Sequence, residues 1–512
     1  MLFRSTLVKI VAAATAGTTI GVLALTDAVD YNQIGAVRIA RAGCTVVAIA
    51  ADYKWTFLRM KEPIGSPAYL EELSRVHQRS AEKLKELCCK NRGAFIKVGQ
   101  HLGSLDYLVP PEYVNTMKSL FRDAPESPFT DMLTVLREDL KTDPSNIFTT
   151  IDPKPLGAAS LAQVHRAVLK DGTTVAVKIQ HPNVDAQSRN DIKAMKVLVI
   201  AVAKAFPEFK FVWLAEETEK ILPLELDFLN EGKNCERMAK ILSKFSYVKL
   251  PKIFWEYSTK RILTMEFCDG GRIDDLTYYK KEGISPSQAF CRISKVFSEM
   301  IFIDGYLHCD PHPGNILVSK DLDGLPILTL LDHGVHMNIT EKTRLSYGKL
   351  WLSMLDADVT GMQKHADELG VGELFDIFAC MLTARSWTGV KTGIQKSVIG
   401  DDEMRDIKLK IGTLLPQISD ILNRIPREVL LILKTNDLLR GLSYKLKVQN
   451  SPCTFSSASL ACTRAIFQDK LNHTRSPWNF FQVALQFYWT MIKIRLYELY
   501  LTLRPSVNPL VM

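Results

Sequence analysis

One stretch of this sequence decides how the rest of the chain is interpreted: LHCDPHPGNIL, from Leu307 to Leu317. It places Asp310 five residues before Asn315, and an apolar run then leads to Asp332 in the triplet Asp332-His333-Gly334. In phosphoryl-transfer sites one carboxylate meets the nucleophile, while an amide and a second carboxylate hold magnesium across the nucleotide phosphates. We therefore assign Asp310 as the catalytic carboxylate and Asn315 and Asp332 as magnesium ligands. Alone, this spacing also fits an ordinary polar loop, so the assignment depends on residues upstream.

A strand that ends in lysine lies upstream of this stretch. Val175-Ala176-Val177-Lys178 has the form of the kinase strand whose lysine pairs with the α- and β-phosphates. It follows Asp171-Gly172, a pair that favours a type I′ hairpin turn because that turn needs positive φ at both central residues. An apolar strand ending in lysine is common, but this one follows a loop of small residues. We therefore predict that Lys178 binds the phosphates and takes part in catalysis.

The loop of small residues departs from the kinase pattern. Kinases have Gly-x-Gly-x-x-Gly-x-Val, where this chain has Gly157-x-Ala159-x-x-Ala162-x-Val164. Each alanine Cβ restricts a backbone that glycine would leave free, so we expect a stiffer loop that approaches the phosphates differently. The predicted nucleotide-binding residues here are Gly157, Ala158, Ala159, Ser160, Leu161, Ala162 and Val164.

A kinase lysine requires a carboxylate partner on a helix. The pattern predicts a helix over Glu216–Cys235, broken at Pro223. Two of its acids, Glu231 and Glu225, are alternative partners for Lys178. A solvated acidic face remains the other interpretation of these residues.

A predicted hinge between two lobes follows. Strands over Val248–Phe254 and Arg261–Glu266 would complete the small lobe, and the chain then continues into Cys268 and two glycines. We predict that backbone groups at Glu266 and Cys268 contact an adenine.

Composition excludes several classes of protein. The chain has 512 residues, of which 47% are hydrophobic and 23% charged, with a net charge of +8, and this allows two to four folded domains. No long basic run is interleaved with aromatic residues, so we expect no nucleic-acid partner, while the mild positive charge fits an acidic membrane surface. The ten cysteines include no Cys-x-x-Cys pair, which argues against a disulfide scaffold and a zinc module and indicates a reducing compartment.

The N-terminal segment Met1–Leu25 carries Arg4 and Lys9 and precedes the first acid, Asp27. It fits a mitochondrial presequence, a secretory signal or a short membrane helix. Because the cysteine pattern weighs against secretion, we expect a mitochondrial protein associated with the inner membrane, with secretion as the alternative. A second apolar stretch, Ala42–Ala51, is either a buried helix or part of a membrane anchor.

The region Ser66–Ser119 has a helical pattern and contains Lys97-Val98-Gly99-Gln100. Lys97 alone could be a solvated residue near a helix end. Glycine weakens a helix interior, and Gly99 therefore indicates close approach of another backbone.

The second half of the chain is mostly helical. A helix over Pro286–Phe302 precedes the opening stretch, and helical sequence resumes soon after Asp332 without an Ala-Pro-Glu segment or a Ser/Thr-rich activation loop. This leaves little room for a peptide-substrate platform. The aromatic tail Trp478–Leu503 is either a docking helix or an interfacial membrane helix.

Together these residues resemble the UbiB/AarF family of atypical protein-kinase-like proteins, the aarF-domain kinases, with the nearest likeness to a mitochondrial group within it. The resemblance runs from Ala94 to Tyr444. Five elements carry it in the family's order: Lys97-x-Gly99-Gln100, the alanine-rich loop, Val175-Ala176-Val177-Lys178, Glu225-x-Asp227, and Asp310-x4-Asn315 with Asp332.

The resemblance implies an α+β, bilobal protein-kinase-like fold with ATP and Mg²⁺ as cofactors. It also implies that the Lys-x-Gly-Gln helices cover the nucleotide cleft, where Lys97, Gln100 and Asp227 would guard it. ATPase or small-molecule kinase activity and roles in lipid or isoprenoid homeostasis, including coenzyme Q in some members, follow from the same resemblance. His333 departs from the pattern, since many kinases have Phe there, and this puts the packing switch of that Phe in doubt.

The predicted domain organisation has five parts. Residues 1–55 form an apolar targeting or membrane segment, 56–145 the Lys-x-Gly-Gln helical extension, 146–270 the N-lobe, 271–450 the C-lobe and 451–512 a C-terminal helical tail.

Two functional hypotheses from different classes follow. The first is an ATP-dependent phosphotransferase or ATPase of mitochondrial membranes, with nucleotide, a lipid or membrane surface and mitochondrial inner-membrane proteins as partners. The second is a pseudokinase scaffold that binds nucleotide and organises membrane or protease partners. A true protein kinase is disfavoured by the missing activation segment.

Overall fold

The chain forms two compact units. Unit 1 comprises residues 1–170 and 178–226, and unit 2 comprises residues 171–177 and 227–512. Both combine helices with mainly antiparallel strands, which is the predicted α+β class. The computed structural model of the protein describes residues 34–63, 66–103, 109–121, 125–205, 212–308, 312–393, 417–418, 420–422, 424–449, 451 and 453–503.

Amphipathic helices form most of unit 1: α1 Gly35–Arg59, α2 Pro67–Asn91, α3 Ala94–Gly103, α4 Pro111–Lys118, α5 Phe129–Leu140, α6 Val184–Ala205 and α7 Val212–Glu225. The hydroxyl of Ser66 caps α2 by accepting a hydrogen bond from the backbone N of Tyr69 at 3.2 Å. Arg92 and Gly93 have positive φ (+55° and +51°) and turn the chain from α2 into α3.

The core of unit 1 joins side chains from α1, α2, α3, α4, α6 and α7. Ala42, Phe95, Met117, Leu120 and Leu222 are among its buried members. A buried ion pair also links α1 to α6, where Arg38 Nε donates to Asp191 Oδ1 at 3.0 Å. The helices of the extension therefore share one core with α6 and α7.

Three strands of unit 1 form antiparallel pairs: β1 Phe148–Ile151, β2 Gly157–Ala158 and β3 Ala162–Leu169. Both β1 and β2 pair with β3. A fourth strand, β4 Thr174–Gln180, crosses the unit boundary, so that Lys178–Gln180 belongs to unit 1.

The turn before β4 differs from the prediction. Gly172 has φ of +86°, but Asp171 does not have positive φ, so a type I′ turn was wrong here. Instead, Asp171 Oδ1 accepts a hydrogen bond from the backbone N of Thr173 at 2.8 Å. This local side-chain bond stabilises the turn without requiring positive φ at Asp171.

The long segment of unit 2 begins with helix α8 Phe228–Leu242. The strands and helices that follow are β5 Val248–Lys249, β6 Ile262–Glu266, β7 Gly271–Arg272, α9 Leu276–Glu282, α10 Pro286–Glu299, β8 Tyr306–His308, β9 Ile316–Lys320, β10 Pro326–Leu330 and β11 His336–Asn338. They include two small sheets, one with the strand order β5-β10-β9-β7 and one in which β8 pairs with β11.

Helices complete unit 2: α11 Glu341–Leu355, α12 Val359–Glu368, α13 Phe375–Thr383, α14 Trp387–Lys391, α15 Arg427–Lys445, α16 Cys453–Asn472 and α17 Pro477–Leu503. A disulfide between Cys291 and Cys453 joins α10 to the start of α16. The sequence argues only against a disulfide scaffold and did not predict this single disulfide. The separation of its cysteines by 162 residues hides the pairing from any local cysteine pattern.

Two predicted elements have different bounds in the structure. Pro223 lies inside α7, and the break falls at Leu226 and Asp227 instead. A proline in the last helical turn removes only one backbone hydrogen bond, whereas Asp227 caps α8 by accepting from Leu229 N at 3.1 Å. The predicted strand over Val248–Phe254 is regular only at Val248–Lys249, with an isolated bridge from Ile253 to Met265.

The predicted apolar segments have separate outcomes. Ala42–Ala51 forms part of α1, whereas Met1–Leu25 lies outside the described residues. Among the described residues, no helix is both long and apolar enough to span a bilayer. The aromatic tail forms α17, which packs on α16 with the rings of Phe467 and Phe487 stacked at 4.1 Å.

Candidate active site

The hairpin of β9 and β10 brings the two predicted metal ligands together in unit 2. Its register pairs Ile316 with Leu330, and the backbone N of Leu331 donates to Asn315 O at 2.9 Å. Asn315 Nδ2 and Asp332 Oδ2 are consequently 3.5 Å apart. The sequence predicts strands over Ile316–Ser319 and Ile327–Leu331, because apolar runs flank a clear turn at residues 321–324. Both bounds are correct to within one residue.

The backbone around these ligands is held by local hydrogen bonds. Asp332 Oδ1 accepts from Gly334 N at 3.0 Å, and His312 Nδ1 accepts from Gly314 N at 3.1 Å. Asp310, the predicted catalytic carboxylate, lies outside the described residues. The described chain resumes at His312, so both ends of this short segment, His308 and His312, are positioned by the scaffold of unit 2.

The oxygen donors of Asn315 and Asp332 fit Mg²⁺, which prefers carboxylate and carbonyl oxygens. Among the described residues, no group of three or more His, Cys, Asp or Glu side chains could form a metal cage. A site with one carboxylate and one amide is what Mg²⁺ needs when nucleotide phosphates and water supply its other ligands. These two side chains would therefore hold a phosphate-bound cation, whose chemistry is the neutralisation of phosphate charge.

His333, at the position of the kinase Phe, lies in a cluster of stacked imidazoles. Its ring centroid is 5.6 Å from that of His308 and 5.3 Å from that of His336, and its Nε2 donates to Leu330 O at 3.1 Å. Burial, reinforced by the neighbouring imidazoles, lowers the pKa of His336 to about 2. His336 therefore stays neutral near pH 7, and the cluster packs beside Asp332.

Helix α8 is linked to the same segment through Asn234. Asn234 Nδ2 donates to the backbone carbonyl of His333 at 3.1 Å, and Tyr306 Oη donates to Asn234 Oδ1 at 2.9 Å. Glu231 lies one turn earlier in α8 and is buried, with 2% of its surface exposed. Sequence reasoning missed Asn234, since a single asparagine within a helix gives no local signal for this contact.

The alanine-rich loop of unit 1 is a tight hairpin. Gly157 is opposite Val164, and Ala159 N donates to Ala162 O at 2.7 Å. Neither Ala159 nor Ala162 has positive φ, so the Cβ atoms that replace the kinase glycines cause no backbone strain. The predicted stiffness of the loop stays a prediction.

Three residues that the sequence did not single out anchor this loop. His181 Nε2 donates to Ala159 O at 3.1 Å, and the hydroxyl of Ser127 donates to His181 Nδ1 at 2.8 Å. Gln163 Oε1 accepts from Ser127 N at 3.0 Å. Because burial lowers the pKa of His181, the imidazole remains neutral and can make both bonds. The position of His181, just after the Lys178 strand, was the only hint in the sequence.

Lys178 and its two candidate partners are placed on regular elements. Lys178 is half-buried in β4, between the buried side chains of Val177 and Ile179. Glu225 ends α7, and Glu231 is in the first turn of α8. The choice between Glu231 and Glu225 as the partner of Lys178 stays a prediction.

Glu225 forms a buried ion pair with Lys97 within unit 1. Lys97 Nζ is 2.8 Å from Glu225 Oε1, and only 11% and 9% of the two side chains are exposed. The interpretation of Lys97 as a solvated lysine was therefore wrong. The pair joins the first residue of the Lys-x-Gly-Gln sequence to the first residue of Glu225-x-Asp227.

The other residues of these two sequences have structural contacts. Gln100 Nε2 donates to Leu120 O at 3.0 Å. A Cβ added at Gly99 would come within 2.5 Å of Leu120 Cδ1, so Gly99 is closely packed, but by side chains and not by the predicted backbone. Asp227 caps α8, as described above. The predicted guarding role of Lys97, Gln100 and Asp227 stays a prediction.

The predicted hinge residues lie at and just after the end of β6. Glu266 Oε1 pairs with Lys249 Nζ at 2.7 Å, and the thiol of Cys268 donates to Glu266 O at 3.7 Å. Burial raises the pKa of Cys268 to about 11, so this residue is a thiol rather than a reactive thiolate at neutral pH. Their adenine contact stays a prediction.

The segment after Asp332 is short. β11 occupies His336–Asn338 and pairs with β8, and α11 begins at Glu341. The predicted early return to helix is confirmed. Residues 335–340 leave no room for the long activation segment of a protein kinase.

The α+β fold and the amide–carboxylate hairpin are those of a kinase-like protein, and comparisons with known proteins identify the family. The sequence profile of the ABC1 atypical kinase-like domain matches residues 119–366. The chain is 49% identical over 476 residues to AarF domain-containing protein kinase 1 of Mus musculus, which covers 93% of this chain and 90% of that protein. It is 44% identical over 485 residues to AarF domain-containing kinase 1 of Drosophila melanogaster, with 93% of each chain covered.

The protein therefore belongs to the AarF domain-containing family of ABC1 atypical kinase-like proteins. This confirms the family predicted from the sequence. Among solved structures, the complex of Rv3197 with erythromycin from Mycobacterium tuberculosis aligns with 68% of this chain and 94% of that chain, with a TM-score of 0.43 and 20% identity. Lys97 lies outside the matched ABC1 domain, whereas the alanine-rich loop, Lys178 and Asp332 lie inside it.

Proposed function

We propose that the protein is an ATP- and Mg²⁺-dependent atypical kinase or ATPase that acts in mitochondrial lipid or membrane homeostasis, on an acceptor that is not a peptide. One observation carries this proposal. The β9–β10 hairpin holds Asn315 and Asp332 together, with 3.5 Å between Nδ2 and Oδ2, and gives a carboxylate–amide pair suited to a phosphate-bound cation.

Each candidate residue then has a distinct role. Lys178 binds the α- and β-phosphates and pairs with Glu231 or Glu225. Asp310 orients the acceptor hydroxyl or a water and takes its proton, while Asn315 and Asp332 hold Mg²⁺. Because the transition state of phosphoryl transfer is loose, positioning and charge neutralisation supply most of the acceleration.

A non-peptide acceptor is supported by the short segment after Asp332. Protein kinases order their peptide substrates on a long activation segment, and residues 335–340 are too few to form one. The mitochondrial assignment is supported by the basic, acid-free composition of Met1–Leu25. A lipid or an isoprenoid precursor is the acceptor class that fits both a short segment after Asp332 and a mitochondrial membrane.

Asp332→Asn tests the metal site directly. We expect magnesium-dependent release of phosphate from ATP to fall by roughly 100-fold or more, because the variant loses the charged ligand of the cation. Asp323→Asn is the matched control, since it removes an exposed carboxylate from the turn of the same hairpin. Asp310→Asn should retain nucleotide binding, measured by thermal shift with MgATP, and lose turnover. Full turnover in purified Asp332→Asn protein would refute the metal assignment.

A pseudokinase scaffold is the second candidate, and the Lys97–Glu225 pair favours it. A buried ion pair between two of the five family sequences restrains the helical extension, which suits a protein that binds nucleotide without turning it over. A thermal shift with MgATP but no phosphate release, with or without detergent and lipid, would support the scaffold. Release stimulated by a lipid or an isoprenoid precursor would support the enzyme.

A further inference from the structure

Helix α17 has two apolar faces, and only one of them is covered by α16. On the covered face, Ile494 is buried, Phe487 stacks on Phe467, and Ser456 Oγ donates to Glu498 Oε1 at 3.3 Å. This face holds α17 against the rest of unit 2 along most of its length. The helix is therefore a fixed part of the fold.

The opposite face of α17 carries a continuous stripe of exposed apolar side chains, which we call the aromatic stripe. Each member exposes between 49% and 66% of its surface. Two tryptophans, Trp478 and Trp489, belong to it. Its other members are spaced three or four residues apart: Phe481, Leu485, Tyr488, Ile492, Leu496 and Leu499.

The spacing of the aromatic stripe fits a flat surface. Its members repeat after eleven residues, as in Trp478 and Trp489 or Leu485 and Leu496. Eleven residues in three turns give 3.67 residues per turn, close to the 3.6 of a straight helix, so the stripe stays on one side for about 32 Å. A coiled coil needs a seven-residue repeat instead, and that repeat would place Arg495 in the apolar seam between Ile492 and Leu499.

The charges beside the aromatic stripe favour an anionic partner. On a helical wheel, Lys493 and Arg495 flank the stripe on its two sides, and both are exposed. The only acid of α17, Glu498, accepts from Ser456 Oγ on the covered face and also pairs with Arg495, whose Nη1 lies 3.0 Å from Glu498 Oε2. Lys493 therefore carries the charge that favours an anionic surface. Long cationic side chains at the border of an apolar face can reach toward lipid headgroups, and Trp and Tyr rings prefer the membrane–water interface.

We propose that the aromatic stripe docks the protein on the surface of an anionic lipid bilayer, with α17 lying in the plane of the interface. The stripe enters the boundary between headgroups and acyl chains, and Lys493 contacts the headgroups. This inference goes beyond the nucleotide chemistry proposed above and does not depend on it.

Vesicle flotation of the full chain tests the proposal with a matched pair of variants. Phe480 and Phe481 are adjacent and similarly exposed (53% and 58%), but only Phe481 belongs to the stripe. We expect the wild-type chain to float with vesicles of equimolar phosphatidylcholine and phosphatidylglycerol more strongly than with phosphatidylcholine alone. Phe481→Glu should reduce partitioning by roughly tenfold or more, because one aromatic side chain no longer enters the interface. Phe480→Glu should remain within about twofold of the wild type.

Further measurements keep the result interpretable. Thermal unfolding establishes that both variants are folded, and Trp489→Glu replaces Phe481→Glu if the latter is not. Lys493→Glu should weaken binding to the anionic vesicles only. Equal flotation of Phe480→Glu and Phe481→Glu overturns the proposal and assigns binding to another part of the chain. A wild-type dimer that Phe481→Glu converts to a monomer, without flotation, overturns it in favour of a second copy of the chain.

Discussion

The buried ion pair of Lys97 and Glu225 makes the stability of unit 1 depend on single side chains. Only 11% and 9% of these two charged side chains are exposed. The opposite charges therefore stabilise each other in a site with little water. Removing one partner of such a pair leaves the other charge buried, and this is far less favourable than removing both.

We expect Lys97→Met to destabilise unit 1 by about 3 kcal/mol, and Lys97→Met with Glu225→Leu to recover much of that loss. Equilibrium unfolding in denaturant measures the free energy of unfolding of the single and the double variant. Lys196→Met is the control, because its pair with Glu219 is partly exposed (37% and 43%) and should contribute less than about 1 kcal/mol. The rate of phosphate release should also change in folded Lys97→Met protein. An unchanged rate would contradict the guarding role.

At the scale of elements, the disulfide between α10 and α16 links two regions that are distant in sequence. Cys291 is on the helix that leads to β8 and the Asp310 segment, and Cys453 begins the helix on which α17 packs. A covalent link that closes a loop of 162 residues restricts the unfolded chain strongly.

Loss of this disulfide should lower stability by about 2–5 kcal/mol. The measurement is thermal unfolding of the wild type with and without a thiol reductant, compared with Cys291→Ser/Cys453→Ser. The double variant should melt near the reduced wild type and should not respond to reductant. Cys44→Ser, which changes an exposed free cysteine, should keep the response of the wild type. A reductant effect of equal size in the double variant would rule out this disulfide as its source.

Elements defined by local patterns could be predicted from the sequence, and contacts between distant residues could not. The β9–β10 hairpin was predictable because turn residues and apolar runs fix its register, and this register brings Asn315 to Asp332. The Lys97–Glu225 pair and the Cys291–Cys453 disulfide depend on helix packing that no window of sequence contains. The prediction of a type I′ turn at Asp171 failed for a local reason, since an Asp side chain can stabilise a turn without positive φ.

At the scale of the whole molecule, half-buried histidines that stay neutral couple the free energy of unfolding to pH in both units. Burial is the main cause of a lowered pKa for His77 and His181 in unit 1 and for His336 in unit 2. In the unfolded chain these side chains return to the ordinary histidine pKa near 6.5. The unfolded state therefore binds more protons than the folded state below this pH.

The free energy of unfolding should therefore be highest above about pH 6.5 with respect to these groups. It should fall as the pH decreases, by at most about 1.4 kcal/mol per pH unit for each such histidine. For His336 the loss should continue toward its folded pKa of about 2. The melting temperature should consequently be several degrees lower at pH 5.5 than at pH 7.5. His336→Phe, which keeps a ring stacked on Tyr306, should reduce this difference, whereas replacing the exposed His473 should not. A melting temperature that rises on acidification would show that charged rather than neutral imidazoles are buried in the folded protein.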